Sequence, residues 1–240
     1  MATLLHIDSF AFPGKASTSR SIADTFRRAW EEQHPEGAVI HRDVAANPVP
    51  HLTADAHIAG STAAPERTPE QSAAPAARLV LIEELERADA VLIGTPMDNF
   101  SIPSTLKAWL DHVILVGRTA GETRSAQGTP ATVVASRGGS YAPGTPREDH
   151  EFVQNYLRAV LGGTLGMDVD FIVPELTMAP RVAAMAELIP LYEASRLRAL
   201  EDATVKGKSL AARLTARSGG SGAPCDVSAP GRDTAPRRSP

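Results

Sequence analysis

Hydroxyl groups are concentrated just before the first helix that the sequence predicts. Ser9 follows a short apolar run, and Ser17, Thr18 and Ser19 precede a helix predicted from about Arg20 to His34. The first N–H groups of a helix have no intrahelical acceptor, and the helix dipole is positive at that end. The three hydroxyls could therefore bind a phosphate group, or Ser17 or Ser19 could serve only as the N-cap of the helix.

A second group of candidate residues follows the most apolar strand of the sequence. The run of small and β-branched residues that begins at Ala90 ends at Pro96, which removes a backbone donor. Residues 95–102 are therefore predicted as a loop, before Pro103 begins a helix. In open α/β sheets, ligands bind at the carboxyl ends of the strands, which makes this loop a candidate ligand-binding segment.

A third candidate loop, residues 136–141 (SRGGSY), follows another predicted strand. Gly138 and Gly139 permit a close approach between the backbone and a ligand. A plain turn is the alternative interpretation, although a turn needs only one glycine.

The elements that must position these loops alternate between strand and helix. The predicted strands are Thr3–Asp8, Ala38–Asp43, the run that ends at Pro96, Thr129–Ala135 and Met167–Val173. The later predicted helices are Thr68–Arg87 interrupted at Pro75, Pro103–Val116, Asp149–Leu165, and Arg181–Leu214 kinked at Pro190. This alternation predicts an α/β fold with a five-stranded parallel sheet covered on both faces. The intervening residues 44–67 are predicted as a long excursion near the site.

Composition limits the class of protein. The chain has 240 residues, of which 42% are hydrophobic, and we predict one domain over residues 1–214 and a disordered, Gly/Ser/Pro-rich tail over residues 215–240. A net charge of −4 gives no basic patch for nucleic acid, and no apolar stretch is long enough to span a membrane. With no recognisable signal peptide, a cytoplasmic location is the default expectation.

Cysteine and histidine give little support for metal or thiol chemistry. Cys225, the single cysteine, falls in the predicted tail, so we expect neither a disulfide nor a cysteine nucleophile. His41, His51 and His57 are irregularly spaced and have no acidic or cysteine partner at ligand offsets. The sequence therefore predicts surface histidines and no metal site.

Taken together, these motifs resemble one family. Ser9 with residues 17–19 (STS), residues 96–100 (PMDNF) and residues 136–141 are similar to the FMN-dependent NAD(P)H azoreductase and quinone reductase family. Further similarity lies in residues 42–50, 102–111 (IPSTLKAWLD) and 156–162, in unbroken order between Thr3 and Leu214. The resemblance implies a flavodoxin-like three-layer sandwich.

The resemblance also implies a mechanism and a set of site residues. It implies a homodimer with its sites at the subunit interface, and hydride transfer from NADH or NADPH to FMN and then to a small quinone or azo compound. The flavin would perform the chemistry while protein residues position it. Residues implied as cofactor contacts are Ser9, Ser17, Ser19, Pro96, Met97, Asn99, Phe100, Ser136, Arg137, Gly138 and Gly139.

The sequence departs from the family pattern where that pattern has aromatic residues. Asp98 replaces a tyrosine, Ala120 and Glu122 replace two aromatic residues, and Gly163 stands where a phenylalanine is usual, with one residue gained nearby. One interpretation is a remodelled pocket that keeps FMN and acts on a quinone-like or other conjugated aromatic compound in specialised metabolism, with Asp98, Glu122 and Tyr141 on the substrate side. A second is non-redox isomerisation, dehydration or cyclisation with Asp98 as acid or base, and a third is a non-catalytic binding protein.

Overall fold

The sheet of this protein is entirely parallel. The computed structural model describes residues 1–12, 16–73 and 76–219. The five strands are β1 (Thr3–Asp8), β2 (Ala38–Asp43), β3 (Ala90–Pro96), β4 (Pro130–Ser136) and β5 (Asp168–Ile172). They lie in the order β2-β1-β3-β4-β5. Each strand was predicted at its observed position to within two residues, since short buried apolar runs between turn residues are a local signal.

Helices connect and cover the strands. They are α1 (Thr18–Glu31), α2 (Ala54–Ser61), α3 (Pro69–Ala73), α4 (Ala76–Arg87), α5 (Ser104–Val113), α6 (Val153–Leu157) and α7 (Ile189–Gly219). Three short 3₁₀ segments, Ala64–Glu66, Glu148–His150 and Ala183–Leu188, and a π-helix, Arg158–Thr164, complete the described elements.

Two apolar cores lie on opposite faces of the sheet. On one face, Ile22, Phe26 and Trp30 of α1 pack with Leu4 of β1 and with the buried residues of α7. On the other face, α4, α5 and α6 pack against Leu5 and Ile7 of β1 and against alternate residues of β3 and β4. Successive residues of a strand face opposite sides, which explains why one strand supplies both cores. The predicted α/β three-layer sandwich with a five-stranded parallel sheet is confirmed.

Several local predictions differ from the structure. Pro190 lies in the first turn of α7, where proline is tolerated, so it begins that helix and does not kink it. The helix runs to Gly219, five residues beyond the predicted domain end at Leu214. The excursion at residues 44–67 contains α2, which Thr53 caps by accepting a hydrogen bond from the Ala56 N–H. Pro75, Cys225 and the tail from residue 220 lie outside the described residues.

The helix predicted over Asp149–Leu165 divides into a 3₁₀ turn, α6 and the π-helix. Within the π-helix the Leu165 N–H bonds the Val160 carbonyl, which is an i→i+5 contact. A π turn contains one more residue than an α turn, and this π-helix spans Gly162 and Gly163, where the sequence gains a residue relative to the family pattern.

Among the described residues, no helix combines the length and the apolar character that crossing a membrane requires.

Candidate functional site

The loops that follow β3 and β4 leave the sheet side by side at its carboxyl edge. Pro96 and Ser136, the last residues of the two strands, are register partners. The Met97 N–H donates to the Ser136 carbonyl at 2.6 Å, which extends the pairing one residue beyond β3. The two candidate loops of the sequence therefore meet at one place, as the parallel sheet requires.

The β3 loop contains a tight turn with unusual backbone geometry. Asp98 and Ser101 exchange backbone hydrogen bonds of 2.8 and 3.0 Å. The turn residues Asn99 and Phe100 have φ of +47° and +69°, which is the left-handed region. Asparagine tolerates this region, whereas phenylalanine at such a position is strained. The turn holds the Phe100 side chain outward, where it is 41% exposed.

Aromatic side chains join the β3 loop to the β4 loop. The rings of Phe100 and Tyr141 meet edge to face with centroids 6.3 Å apart, and the His150 ring lies 5.1 Å from Phe100. Tyr141 is buried while Phe100 is partly open to solvent. The predicted substrate-side residue Tyr141 and the predicted cofactor residue Phe100 thus belong to one wall.

Buried charges hold the β4 loop in place. The Arg137 guanidinium is buried, with its Nε 3.2 Å from Glu175 Oε1 and its Nη1 3.8 Å from Glu151 Oε1. The Arg137 N–H donates to the Pro174 carbonyl. Arg137, predicted as a cofactor contact, is therefore directed into the protein, where it positions the loop. Glu151 and Glu175 were missed because nothing in their local sequence marks them.

The glycines of the β4 loop allow a close approach of another segment. A Cβ atom at Gly138 would lie 2.7 Å from Met178 Cγ, which is closer than such atoms approach in proteins. Gly138, Gly139 and Tyr141 line a cavity of about 750 Å³ whose other wall is formed by residues between Glu175 and Arg198.

Asp98 lies at a separate, smaller cavity beside the β3 loop. This cavity of about 460 Å³ is lined by Asp98, Asn99, Ser101, Ile102, Ser104, Lys107 and Tyr156. Asp98 is exposed. Tyr156, which lines the same cavity, is partly buried, and this burial raises the pKa of its phenol, which stays protonated at neutral pH. Tyr156 was not predicted as a site residue.

The serine hydroxyls after β1, those of Ser9, Ser17 and Ser19, are buried and differ in their partners. Ser9 is held internally, since its N–H and its hydroxyl both donate to the Gly94 carbonyl at 3.0 and 3.2 Å. Ser17 is the N-cap of α1 and accepts from the Arg20 N–H, and its Oγ lies 3.2 Å from Ser19 Oγ. The structure thus supports the N-cap interpretation of Ser17 and places Ser19 inside the first turn of α1.

Arg20 fixes the segment around these hydroxyls, a role that sequence reasoning missed. Its guanidinium donates to both carboxylate oxygens of Asp43 at 2.7 and 2.8 Å and to the Phe10 carbonyl. This hydrogen bonding, together with bonds from the N–H groups of Ala45 and Ala46, lowers the pKa of the Asp43 carboxyl against the opposing effect of burial. The pair ties α1 to the end of β2.

Glu122 is not brought together with Asp98 and Tyr141 within the chain. Its loop precedes β4 and lies at the amino edge of the sheet, where the Gly128 N–H donates to the Gly166 carbonyl. Glu122 is exposed there, and Ala120 is buried in a turn of the same loop. Glu122 and Asp98 therefore lie at opposite edges of the sheet within one subunit, because α5 returns the chain to the amino edge, and the substrate-side role of Glu122 stays a prediction.

Beneath the β1 loop, three side chains with metal-ligating atoms lie together. His6 and His41 are register partners on β1 and β2, and Asp8 lies two residues along from His6 on the same face. Burial would raise the pKa of the Asp8 carboxyl, but the hydrogen bond with His41, the neighbouring His6 imidazole and the charge of Arg20 outweigh burial and lower it. The same bond to Asp8 raises the pKa of His41.

The comparison with known families agrees with this geometry. A family described by its flavodoxin-like fold matches residues 2–189. The chain belongs to this flavodoxin-like family.

Two relatives are similar to this chain over their whole length. The chain is 70% identical over 219 residues to a protein of Streptomyces coelicolor named FMN-dependent NADH:quinone oxidoreductase, covering 91% of this chain and 100% of that protein. A protein of the same name from Streptomyces avermitilis is 65% identical, covering 90% of this chain and 100% of its own. These relatives confirm the resemblance found in the sequence.

A solved structure supports the fold independently. The crystal structure of azoreductase from Bacillus anthracis superposes with a TM-score of 0.75 at 22% identity, covering 87% of this chain and 100% of that chain.

Proposed function

We propose that this protein is an FMN-dependent NADH:quinone oxidoreductase. The observation that carries the proposal is the 70% identity to the Streptomyces coelicolor enzyme of that name over that enzyme's whole length. Every candidate loop lies inside the matched part of the family, residues 2–189. The names of the relatives favour the redox interpretation of the sequence over the non-redox alternative with Asp98 as acid or base and over a non-catalytic binding protein.

The residues at the carboxyl edge fit FMN in three respects. Ser17 and Ser19 stand at the start of α1, where a helix favours a phosphate group. The β4 loop, with Gly138, Gly139 and Tyr141, lines a cavity large enough for a ring system. Asn99, in the turn of the β3 loop, offers an exposed amide side chain next to the aromatic wall of Phe100 and Tyr141. We infer that the start of α1 holds the phosphate, and that the β4 loop and residues 97–100 hold the flavin ring.

When bound, FMN would supply the two-electron chemistry that links NADH oxidation to quinone reduction. The chain's own contribution is to orient and enclose the ring. Arg137, held between Glu151 and Glu175, fixes the β4 loop, and the strained turn at Asn99 and Phe100 fixes the β3 loop. Asp98 and the other residues that line its cavity would contact the substrate, and Asp98 would not donate a proton to it.

We also propose a homodimer and a cytoplasmic location. Support for the dimer comes from Phe100 and Phe152, which are exposed by 41% and 51% and are joined by the Phe152 N–H bond to the Phe100 carbonyl. An apolar patch beside a cavity suits an interface. Glu122 could then enter a site only from a partner subunit.

A cytoplasmic location is consistent with a reaction that consumes NADH. Reduction of azo compounds and a role in specialised metabolism stay predictions of the sequence.

The proposal is tested with the purified full-length protein. We expect a yellow protein, or one that becomes yellow with added FMN, and one FMN per chain by calorimetry. It should oxidise NADH when 1,4-benzoquinone is supplied, and its mass by light scattering should be that of a dimer. A colourless protein that binds no FMN in the calorimeter would rule out the flavin enzyme, and a monomer would rule out the dimer alone.

A further inference from the structure

The strongest unexplained cluster lies under the β1 loop, away from the cavities described above. His6 is completely buried on β1, and neither of its ring nitrogens has a hydrogen-bond partner among the described residues. Asp8 Oδ1 also lacks a partner in that part of the chain, and it lies 3.6 Å from His6 Nε2. Buried polar atoms without a hydrogen-bond partner destabilise the folded state, so such a group calls for an explanation.

His41 completes the cluster from the neighbouring strand. Its Nε2 lies 3.0 Å from Asp8 Oδ2, and the two imidazole rings have centroids 4.8 Å apart. One ligand atom from each of His6, Asp8 and His41 can be chosen so that all three lie within 4.8 Å of one another. Two imidazoles and a carboxylate are the donor set of many zinc sites that keep a fourth position open.

The distances suit a shared transition-metal ion. Ligand atoms bound tetrahedrally at about 2.1 Å from one ion are about 3.4 Å apart. The separations of Asp8 from His41 and from His6, 3.0 and 3.6 Å, are already close to that value. The remaining gap between the histidines can close because the His41 side chain is half exposed on β2, which is an edge strand.

The charge balance of the surroundings also permits a cation. Arg20 Nη1 lies 3.3 Å from Asp8 Oδ2, which by itself opposes metal binding. That guanidinium is neutralised by its two bonds to Asp43, so Asp8 supplies an additional negative charge. The free oxygen of Asp8, Oδ1, is the one that faces His6 and not Arg20.

We propose that His6, Asp8 and His41 form a binding site for a divalent transition-metal ion, with Zn²⁺ as the preferred ion. The ion would link edge strand β2 to β1 at the register position where the two histidines face each other. It would therefore stabilise the folded chain, because an ion that binds only the native state raises the melting temperature. The site is independent of the proposed flavin reaction.

The experiment uses full-length protein without an affinity tag, freed of metal with a chelator. ZnCl₂ is titrated by calorimetry, and the melting temperature is measured with and without the ion. We expect one Zn²⁺ per chain and a higher melting temperature. His41→Ala, at a half-exposed position, should keep the fold by circular dichroism yet weaken Zn²⁺ binding at least tenfold and abolish the thermal shift.

His51→Ala and His57→Ala are the matched controls, since both residues are exposed and lie outside the cluster. They should bind Zn²⁺ as the wild type does. His6→Gln, which replaces the buried ligand, should lose binding as His41→Ala does if it folds. Failure of the wild type to bind, or equal binding by wild type and His41→Ala, would overturn the proposal. Equal loss in the control variants would also overturn it, since that result indicates surface binding.

Discussion

Asp98 is the residue at which this chain departs most directly from the family pattern, and its setting argues against an acid–base role. Its side chain is exposed, and its backbone is committed to the turn with Ser101. A general acid or base typically contributes about 10²–10⁴-fold to rate. We therefore predict that Asp98→Asn keeps kcat/KM for quinone reduction within about threefold of wild type. NADH oxidation assays measure this, with Asp202→Asn at an exposed position of α7 as the control, and a loss of a hundredfold would restore the non-redox or acid-assisted interpretation.

The same position tests what the missing aromatic residue contributes. Asp98 borders an open cavity of about 460 Å³, so a larger side chain has room there. A stacked aromatic ring adds about 0.5–1.5 kcal/mol beyond its buried area, or about 2- to 13-fold in affinity. We predict that Asp98→Tyr tightens FMN binding by a factor in this range, as measured by calorimetry. Asp98→Ser, which adds no ring, should leave the FMN Kd close to that of wild type.

At the scale of elements, the packing of α7 on α1 depends on one glycine. A Cβ at Gly207 would lie 2.6 Å from the Phe26 carbonyl oxygen and 3.1 Å from Ala29 Cβ. Alanine in a helix gains about 1 kcal/mol over glycine, whereas overpacking costs about 1–3 kcal/mol. Because the obstructing atom belongs to the backbone of α1, the two helices must separate, and the cost should exceed the gain.

We therefore predict that Gly207→Ala lowers the melting temperature by a few degrees in calorimetry or circular dichroism. Gly163→Ala is the matched control, since Gly163 is exposed and a Cβ there would meet nothing within 4 Å. That variant should match or exceed the stability of wild type. A Gly207→Ala protein as stable as wild type would mean that α1 and α7 are packed less closely than the structure describes.

At the scale of the whole molecule, the C-terminal part of α7 contributes to the stability of the domain as far as Leu214. Leu210, Ala211 and Leu214 are buried in the core between α1, α7 and the sheet. Fully burying a leucine side chain stabilises a protein by about 1.5–3 kcal/mol. We predict that ending the chain after Gly219 leaves the melting temperature and the FMN affinity unchanged, whereas ending it after Lys208 lowers the unfolding free energy by several kcal/mol. A marked loss of stability on removing only residues 220–240 would contradict the predicted division into domain and tail.

The sequence by itself determined the strands, the two loops at the carboxyl edge and the family. These depend on local signals: buried apolar runs, Pro96 and the glycines at turns, and motifs in a fixed order. Only the tertiary structure decided that Arg137 turns inward to Glu151 and Glu175, that Glu122 lies at the far edge of the sheet, and that His6 faces His41. Each of these facts depends on residues distant in sequence whose separation is set by strand register and by the direction in which a helix returns the chain. Such relations leave no periodic pattern in the sequence, because they follow from how the elements pack.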